Sequence, residues 1–198
     1  MKISFLGAGN VAQNLGGLFT KAGYNVKLSK PNPEGNQVSI EEACAFGEVI
    51  FITTPYAAVN DILTKNKEQL KGKIIVDVTN AINLEDWSPI FLGEESAAEH
   101  ASKLIPESKF VKAFNTVFAD MMNEEDMNYN GEKLTTFIAS DSEEAANIIK
   151  EIADKSGFSG VVLQGLKNAR YLESLAHLNI SLALSGKGTK AGFLYFNK

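Results

Sequence analysis

Two glycines near the start of the chain have the spacing of an anion-binding turn. Gly7 and Gly9 follow an apolar run and precede a stretch, beginning at Asn10, with the pattern of a helix. Gly7 permits a tight turn, Gly9 lets a phosphate approach the backbone, and Ala12 lets the helix pack close to the strand. Free N–H groups at the helix start would bind the anion. We therefore predict a dinucleotide pyrophosphate site, the alternative being a turn without ligand, at Gly7-Ala8-Gly9-Asn10-Val11.

The end of the second apolar run indicates which dinucleotide would bind. An NAD-specific protein usually carries an Asp or Glu about 20 residues after the glycine motif, where it binds the ribose hydroxyls. Here Leu28 is followed by Ser29 and Lys30, a hydroxyl and a positive charge. Both suit the additional 2′-phosphate of NADP, so they favour NADP(H), while an ordinary polar turn is the other interpretation.

Small or polar side chains also follow three further apolar runs. In open parallel sheets, ligands bind beyond the carboxyl ends of the strands, near the point where the strand order reverses. Such side chains can line a nicotinamide pocket and hold its carboxamide by hydrogen bonds. Any one of these ends is compatible with a capped turn, but together they predict a site. The binding residues predicted there are Thr53, Thr54, Pro55, Asn80, Ala113 and Asn115.

Seven apolar runs alternate with helical stretches, which is typical of an α/β fold. Several runs are continuous, as expected for parallel strands covered on both faces. The sequence therefore predicts a Rossmann-type, doubly wound, mostly parallel sheet in a single domain over residues 1–198, with a helix over 168–185 packed on it. The predicted strands are residues 3–6, 26–28, 49–53, 74–78, 110–114, 135–139 and 161–163.

The ends of other elements can also be predicted. The first helix should run from Asn10 to residue 22 and stop at Gly23. Pro55 suits the first turn of a later helix, and carboxylates crowd a helix start at residues 141–144. The polar segment 123–133 predicts a surface loop, or alternatively a lid over a cleft. A closing strand is predicted over residues 193–196.

Composition excludes several classes of function. The net charge of -5 and the lack of a basic cluster disfavour nucleic acid as a partner, and no apolar run is long enough for a membrane span. The start of the chain resembles a structural strand and not a signal peptide, so we expect a cytoplasmic location. Cys44 is the only cysteine and lies in an apolar helical stretch, which predicts a buried structural thiol.

No catalytic side chain or metal site is predicted. His100 and His177 lack a Ser or Cys partner at any motif and have no metal-ligand spacing. Arg170, the only arginine, is a candidate for bidentate recognition of an anion.

The last predicted helix has two faces. A polar stripe of Arg170, Ser174, His177 and Ser181 could face a substrate cleft, or it could be the solvated side of the helix. The other face of the helix is apolar and wide, which predicts a homodimer contact in addition to core packing. Its residues are Leu172, Leu175, Leu178, Leu182 and Leu184.

Five segments together resemble the family of F420-dependent NADP oxidoreductases and related dinucleotide-binding enzymes. The resemblance covers nearly the whole chain and is most specific at residues 112–116. It implies hydride transfer between NADP(H) and a small-molecule acceptor, a deazaflavin of the F420 type or a flavin. That chemistry belongs to the cofactors, so no catalytic base is required of the protein. The matching segments are residues 3–11, 52–55, 76–80, 111–116 and 168–173.

The chain departs from the family in two places. Family members usually have a further helix and strand after the second strand, but here only residues 31–37 and a short helix around 41–46 fit. We therefore expect a shortened region there and a more open adenine side, which weakens the assignment of Ser29 and Lys30 to the 2′-phosphate. Ala81 stands where the family commonly has proline.

Two other functions fit parts of the sequence. An NADP(H)-binding sensor or regulatory protein would keep the glycine turn without turnover. Hydroxyacid and pyrroline-carboxylate enzymes have similar N-terminal motifs, but they build their substrate sites from a large helical C-terminal domain. Only 28 residues follow Arg170 here, which counts against the second class.

Overall fold

A computed structural model describes residues 1–197 of the chain. Seven strands form one sheet in the order β2-β1-β3-β4-β5-β8-β9, and β6 and β7 form a separate hairpin. The strands are β1 (Lys2–Leu6), β2 (Asn25–Ser29), β3 (Val49–Ile52), β4 (Ile74–Asp77), β5 (Lys109–Ala113), β6 (Asn128–Tyr129), β7 (Glu132–Lys133), β8 (Thr135–Ser140) and β9 (Ser159–Gln164).

All pairs in the large sheet are parallel except β5 with β8. The strand order reverses at β1, which lies between β2 and β3, so the crevice of a doubly wound sheet opens beyond the carboxyl ends of β1 and β3. The predicted fold class and all seven predicted strands are confirmed. The helices are α1 (Asn10–Lys21), α2 (Ile40–Phe46), α3 (Tyr56–Leu70), α4 (Ala97–Leu104), α5 (Glu143–Lys155) and α6 (Ala169–Leu182).

The apolar strands send alternate side chains into two cores, one on each face of the sheet. Phe5 and Phe51 pack on the face covered by α1 and α5, whereas Leu6 and Ile52 pack on the face covered by α2, α3 and α4. This division explains why the strands are continuously apolar in sequence. On the first face, Phe114 packs edge-on against Phe158 with ring centroids 5.4 Å apart, which brings the core up to the end of β5.

The region after β2 is short, as expected. It contains α2 and one isolated parallel bridge, between Ser29 and Val38, where another strand could have paired. Helix α1 ends one residue earlier than predicted, and Gly23 follows with a φ of +89°. Carboxylates lie in the first turn of α5 at Glu143 and Glu144, as predicted, but the cap is the Ser142 hydroxyl, which accepts a hydrogen bond from the Ala145 amide.

Three local predictions need correction. Pro55 lies at the N-cap of α3 and not in its first turn, because its ψ of 143° is extended. Residues 193–196 form no strand, although the Phe193 carbonyl accepts a hydrogen bond from the Thr135 amide. The segment 123–133 is not simply a loop, because it contains the β6–β7 hairpin.

Helix α6 is shorter than the predicted 168–185, because it continues from Leu182 into a π turn, Ala183–Lys187. Much of its predicted apolar face is exposed, including Leu178 and Leu184. Across residues 1–197, no helix has the length and apolar character to cross a membrane.

Candidate functional site

The fold of the protein, independently of any ligand, requires a glycine at position 7. Its φ is +133°, and a Cβ built there would lie 2.8 Å from the backbone oxygen of Thr53. The amide of Thr53 in turn donates a hydrogen bond of 3.0 Å to the Leu6 carbonyl. The ends of β1 and β3 are therefore in direct contact, and any side chain at position 7 would separate them.

Gly9 has no comparable role within the protein. Its φ of -75° and ψ of -174° are open to any residue, and apart from Gly9 and its two chain neighbours no residue has an atom within 4 Å of a Cβ built there. Helix α1 begins at this point with no side-chain cap and no acidic residue in its first turn. The positive end of its dipole and its first N–H groups are thus free to bind an anion.

The helix behind the turn packs closely on the sheet. Ala12 is fully buried, and a Cβ on Gly16 would lie 3.2 Å from the Leu28 side chain. Gln13 donates from Nε2 to the Ala8 carbonyl at 2.9 Å, which braces the turn from the side. The turn is therefore held rigidly before any ligand arrives.

The two residues predicted to bind a 2′-phosphate are placed differently. Ser29 is fully buried, and its hydroxyl donates to the Phe5 carbonyl at 2.8 Å, so it is committed to the sheet. Lys30 is half-buried at the end of β2, where its amide donates to the Val38 carbonyl. The geometry therefore does not support a ligand role for the Ser29 hydroxyl, and the preference for NADP depends on Lys30.

Of the remaining predicted binding residues, those that follow β3 lie in a turn, and the one in β5 lies in the core. Thr53 donates from Oγ1 to the Leu6 carbonyl, and the Oγ1 of Thr54 is buried without a hydrogen-bond partner. Pro55 is exposed beside them. Ala113 is fully buried in the apolar core, so its side chain does not face the site.

A cavity of about 190 Å³ lies beyond the ends of β4 and β5, between the start of α1 and one side of α6. The sequence predicted three of its lining residues, Val11, Asn80 and Asn115. The others are Val78, Ile82, Trp87, Phe114, Thr116, Val117, Phe118, Ala119, Ala176, Asn179 and Ile180.

Two amides at the cavity wall bind each other across the strand ends. Asn80 donates from Nδ2 to the Asn115 carbonyl at 2.9 Å, and Asn115 donates from Nδ2 to Asn80 Oδ1 at 3.0 Å. Asn115 Oδ1 is buried with no partner, as are the hydroxyls of Thr79 and Thr116. Leaving buried polar atoms unpaired costs about 1–3 kcal/mol each, and two of these residues, Asn115 and Thr116, line the cavity.

Phe114 holds a strained backbone at the same place. Its φ is +61°, which is uncommon for a bulky side chain, and the ring is fully buried. The Phe114 amide donates a hydrogen bond of 3.1 Å to Thr136 Oγ1, which supports this conformation. Strain of this kind, of order 1–3 kcal/mol, persists where the surrounding structure enforces it and is concentrated at functional sites.

An ion cluster behind the cavity was missed by the sequence reasoning. Lys112 is fully buried, and its Nζ lies 2.8 Å from Asp77 Oδ2 and 3.1 Å from Glu173 Oε1. Asp77 and Lys112 are register partners in β4 and β5, so their side chains share one face of the sheet. A signal existed, because a lysine within a buried strand requires buried partners.

Glu173 also binds the start of α4. Its two carboxylate oxygens accept hydrogen bonds from the Ala97 and Ala98 amides at 2.9 and 3.1 Å. Burial lowers the pKa of Lys112, but the carboxylates of Asp77 and Glu173 outweigh it, so the pKa is raised and the side chain stays charged. Burial first, and then the same two carboxylates, raises the pKa of Tyr56 nearby.

Arg170, the candidate for bidentate recognition of an anion, is paired with a carboxylate of the protein itself. It donates from Nε and Nη2 to the Glu99 carboxylate at 2.8 and 2.7 Å, and these bonds hold the pKa of Glu99 at about 2. Ser174 and Ser181 are exposed, so this side of α6 is largely solvated, while His177 is half-buried and packs edge-on against Phe91.

The remaining candidates for reactivity are inert or paired. Cys44 is buried, and burial raises the pKa of its thiol to about 11. His100 pairs with Glu95, with Nε2 2.9 Å from the carboxylate. Within the described residues, no three His, Cys, Asp or Glu side chains are grouped to hold a metal ion.

Comparison with known proteins adds independent information. The family described as "NADP oxidoreductase coenzyme F420-dependent" matches residues 2–81, which include the glycine turn and the end of β4. The chain is 30% identical over 164 residues to the F420-dependent NADP reductase of Methanothermobacter marburgensis, covering 79% of this chain and 71% of that protein.

Two further similarities concern the rat metalloreductase STEAP3 and a solved structure. The chain is 30% identical to STEAP3 over 183 residues, which are 88% of this chain but 36% of the rat protein, so it spans about a third of that relative. A protein from Arthrobacter sp. FB24, described as a candidate F420-dependent NADP reductase, is 23% identical with a TM-score of 0.86, and the alignment covers 100% of both chains. That likeness supports the fold.

Proposed function

Because this chain belongs to the family of F420-dependent NADP oxidoreductases, we propose that it transfers a hydride between NADP(H) and a deazaflavin of the F420 type or a flavin-like acceptor. The observation that supports this best is a site with two complementary ends at the start of α1, where Val11 belongs both to the glycine turn segment and to the cavity wall. The open turn at Gly9 can take a pyrophosphate, and the cavity beside Asn115 can take a ring with a carboxamide. The predicted oxidoreductase class agrees with the family.

At the first end, the backbone would hold the phosphates. The free amides at the start of α1 donate hydrogen bonds, and the absence of a side chain at Gly9 leaves the space that the anion needs. The contact between Gly7 and Thr53 keeps this backbone in place. These groups bind and orient but take no part in bond making.

At the second end, side chains would hold the nicotinamide. Asn115 and Thr116 line the cavity, and after a rotation that exposes their buried polar atoms, Asn115 Oδ1 would accept a hydrogen bond from a carboxamide N–H and the Thr116 hydroxyl would donate one to its oxygen. Ile82 and Trp87 supply apolar surface that would exclude water from the reacting faces. When bound, the nicotinamide itself supplies the hydride chemistry, so no acid or base is required of the protein.

The preference for NADP(H) over NAD(H) is part of the proposal. No carboxylate stands at the end of β2, and Lys30 offers a positive charge there. A single lysine is a point charge without the fork geometry of arginine, so we expect a preference and not an absolute discrimination.

The likeness to a metalloreductase adds a second acceptor class, a metal ion, which a ferric chelate can represent in the assay. Tight NADPH binding without any acceptor would instead favour a sensor.

The homodimer, the single-domain organisation and the cytoplasmic location stay predictions. Exposed Leu178, Leu182 and Leu184 are the surface on which we expect the dimer contact.

The test has two parts. Purified protein is titrated with NADPH and NADH, and NADPH oxidation is then followed with F420, FMN, FAD and ferric chelates as separate acceptors. We expect tighter binding of NADPH and oxidation with F420 or a flavin. Failure to bind either nucleotide would refute the proposal, and binding without oxidation by any acceptor would replace it with the sensor.

A further inference from the structure

The buried ion cluster lies directly behind the cavity wall, and none of the binding roles above uses it. Lys112 Nζ contacts the Thr79 carbonyl oxygen at 2.5 Å in addition to the carboxylates of Asp77 and Glu173. Replacing buried ion pairs with apolar side chains is often neutral or stabilising, so stability alone is a weak reason for this cluster.

The cluster fixes the peptide groups on both sides of Thr79. Asp77 Oδ1 accepts from the Thr79 amide at 2.9 Å, while Lys112 donates to the Thr79 carbonyl. The next residue is Asn80, whose amide side chain is bound to Asn115 at the cavity wall. The direction in which the chain leaves β4 is thus set by the ion pair, and with it the position of the amide pair.

A second arm of the cluster reaches α6. Glu173 pairs with Lys112, and the neighbouring Leu172 carbonyl accepts a hydrogen bond of 3.1 Å from Asn115 Nδ2. Further along α6, Asn179 donates to the Thr116 carbonyl at 3.2 Å. The cavity wall on α6 is therefore held to the strand ends by buried polar contacts, which have narrow geometric tolerance.

We propose that Lys112 is a positioning residue that sets the geometry of the Asn80–Asn115 amide pair and, through it, the placement of the ring bound in the cavity. The inference rests on the proposed function for the identity of that ring as the nicotinamide of NADP(H). Lys112 acts through Thr79, Asp77 and Glu173 and does not touch the ring.

The main test uses the double variant Lys112→Met with Asp77→Asn. It removes both charges of the register pair together, and the side-chain oxygen of the new amide can still accept from the Thr79 amide. The matched control is Lys109→Met with Glu144→Gln, which removes an exposed ion pair from the same strand, 2.6 Å between Nζ and Oε2.

The measurements are NADPH affinity, energy transfer to bound NADPH from Trp87, and the single-turnover hydride-transfer rate. Trp87 is the only tryptophan and lines the cavity, so energy transfer reports where the ring lies. In the double variant we expect affinity within about threefold of wild type, because the phosphate turn is untouched. Energy transfer should change, and the rate at saturating NADPH should fall by roughly ten- to a hundredfold.

A folded double variant with unchanged energy transfer and rate would overturn the proposal, as would equal changes in the control. If the double variant does not fold, Glu173→Gln decides, because it keeps the Lys112–Asp77 pair and an oxygen to cap α4. We expect it to change energy transfer in the same direction by a smaller amount, and no change would overturn the proposal.

The two levels of the proposal fail differently. Wild-type protein that binds NADPH but reduces no acceptor removes the proposed reaction, yet energy transfer in the variants still tests the positioning role. Wild-type protein that binds no NADPH removes both.

Discussion

At the glycine turn the proposed binding groups are backbone amides from consecutive residues, whereas at the cavity they are side chains from positions as distant as Asn80 and Asn179. The first turn of α1 contains no charged side chain. The cavity, in contrast, is backed by three buried charged side chains. A motif that binds through the backbone is local and visible in sequence. A site built from side chains on several strands has to be assembled by the fold before it can be recognised.

The same contrast exists between Gly7 and Gly9. At Gly7, Thr53 occupies the space that a side chain would need, whereas at Gly9 only the adjacent residues lie within 4 Å of that space. One substitution should therefore act on folding and the other on ligand binding, although the residues are two positions apart.

Gly7→Ala should have the largest effect and should act on stability. The added Cβ meets the Thr53 carbonyl, and φ is unfavourable for alanine, so we expect a loss of about 3 kcal/mol in the free energy of unfolding. Urea unfolding followed by circular dichroism measures it. Gly17→Ala on the exposed side of α1, where a Cβ meets nothing, should be neutral or stabilising.

Gly9→Val should leave stability nearly unchanged and weaken NADPH binding by about a hundredfold, or ~2.7 kcal/mol. The branched side chain would fill the space beside the free amides of α1. Calorimetric titration with NADPH gives the affinity, and Gly17→Val is the matched control with the same substitution on the same helix. Unchanged affinity in Gly9→Val would remove the pyrophosphate from this turn.

Lys30→Glu should separate the two nucleotides. A carboxylate at the end of β2 repels a 2′-phosphate and suits ribose hydroxyls, so the NADPH-to-NADH affinity ratio should fall about tenfold, or ~1.4 kcal/mol. Lys27→Glu, earlier in the same strand, is the control. An equal loss for both nucleotides would show that Lys30 does not contact the phosphate.

Arg170→Ala should have the smallest effect, because the pair with Glu99 is partly exposed and screened by solvent. The pKa of Glu99 is about 2 when folded, against an ordinary value of 4.5, so its stabilising contribution is present above pH 4.5 and is lost as the pH falls toward 2. Thermal unfolding between pH 7 and pH 2 should therefore show a small difference between wild type and variant that disappears at the acid end. A constant difference would assign the effect to packing.

Sequence reasoning was sufficient for the sheet, because continuous apolar runs separated by helical stretches have few alternative arrangements. It located Val11, Asn80 and Asn115, which the fold brings to one cavity. It did not find Lys112 with Asp77 and Glu173, since their contact depends on strand register and on where α6 returns to the sheet.

The fold gives the Ser29 hydroxyl a partner within the sheet, and sequence reasoning did not anticipate this for a related reason. Its hydroxyl suited a phosphate by chemistry, but nothing in the sequence indicates that the side chain turns inward to the Phe5 carbonyl. Pro55 differs by one helical position, within the usual uncertainty of helix ends.

The single bridge between Ser29 and Val38 has a consequence for protein engineering. Residues 31–36 beside it are all exposed, so extra chain can be inserted there at the low entropic cost of lengthening a loop, about 0.6 kcal/mol for each doubling. The nucleotide preference proposed for this edge is therefore open to redesign by grafting longer segments far from the cavity. Residues 31–36 are therefore a suitable site for inserting additional segments.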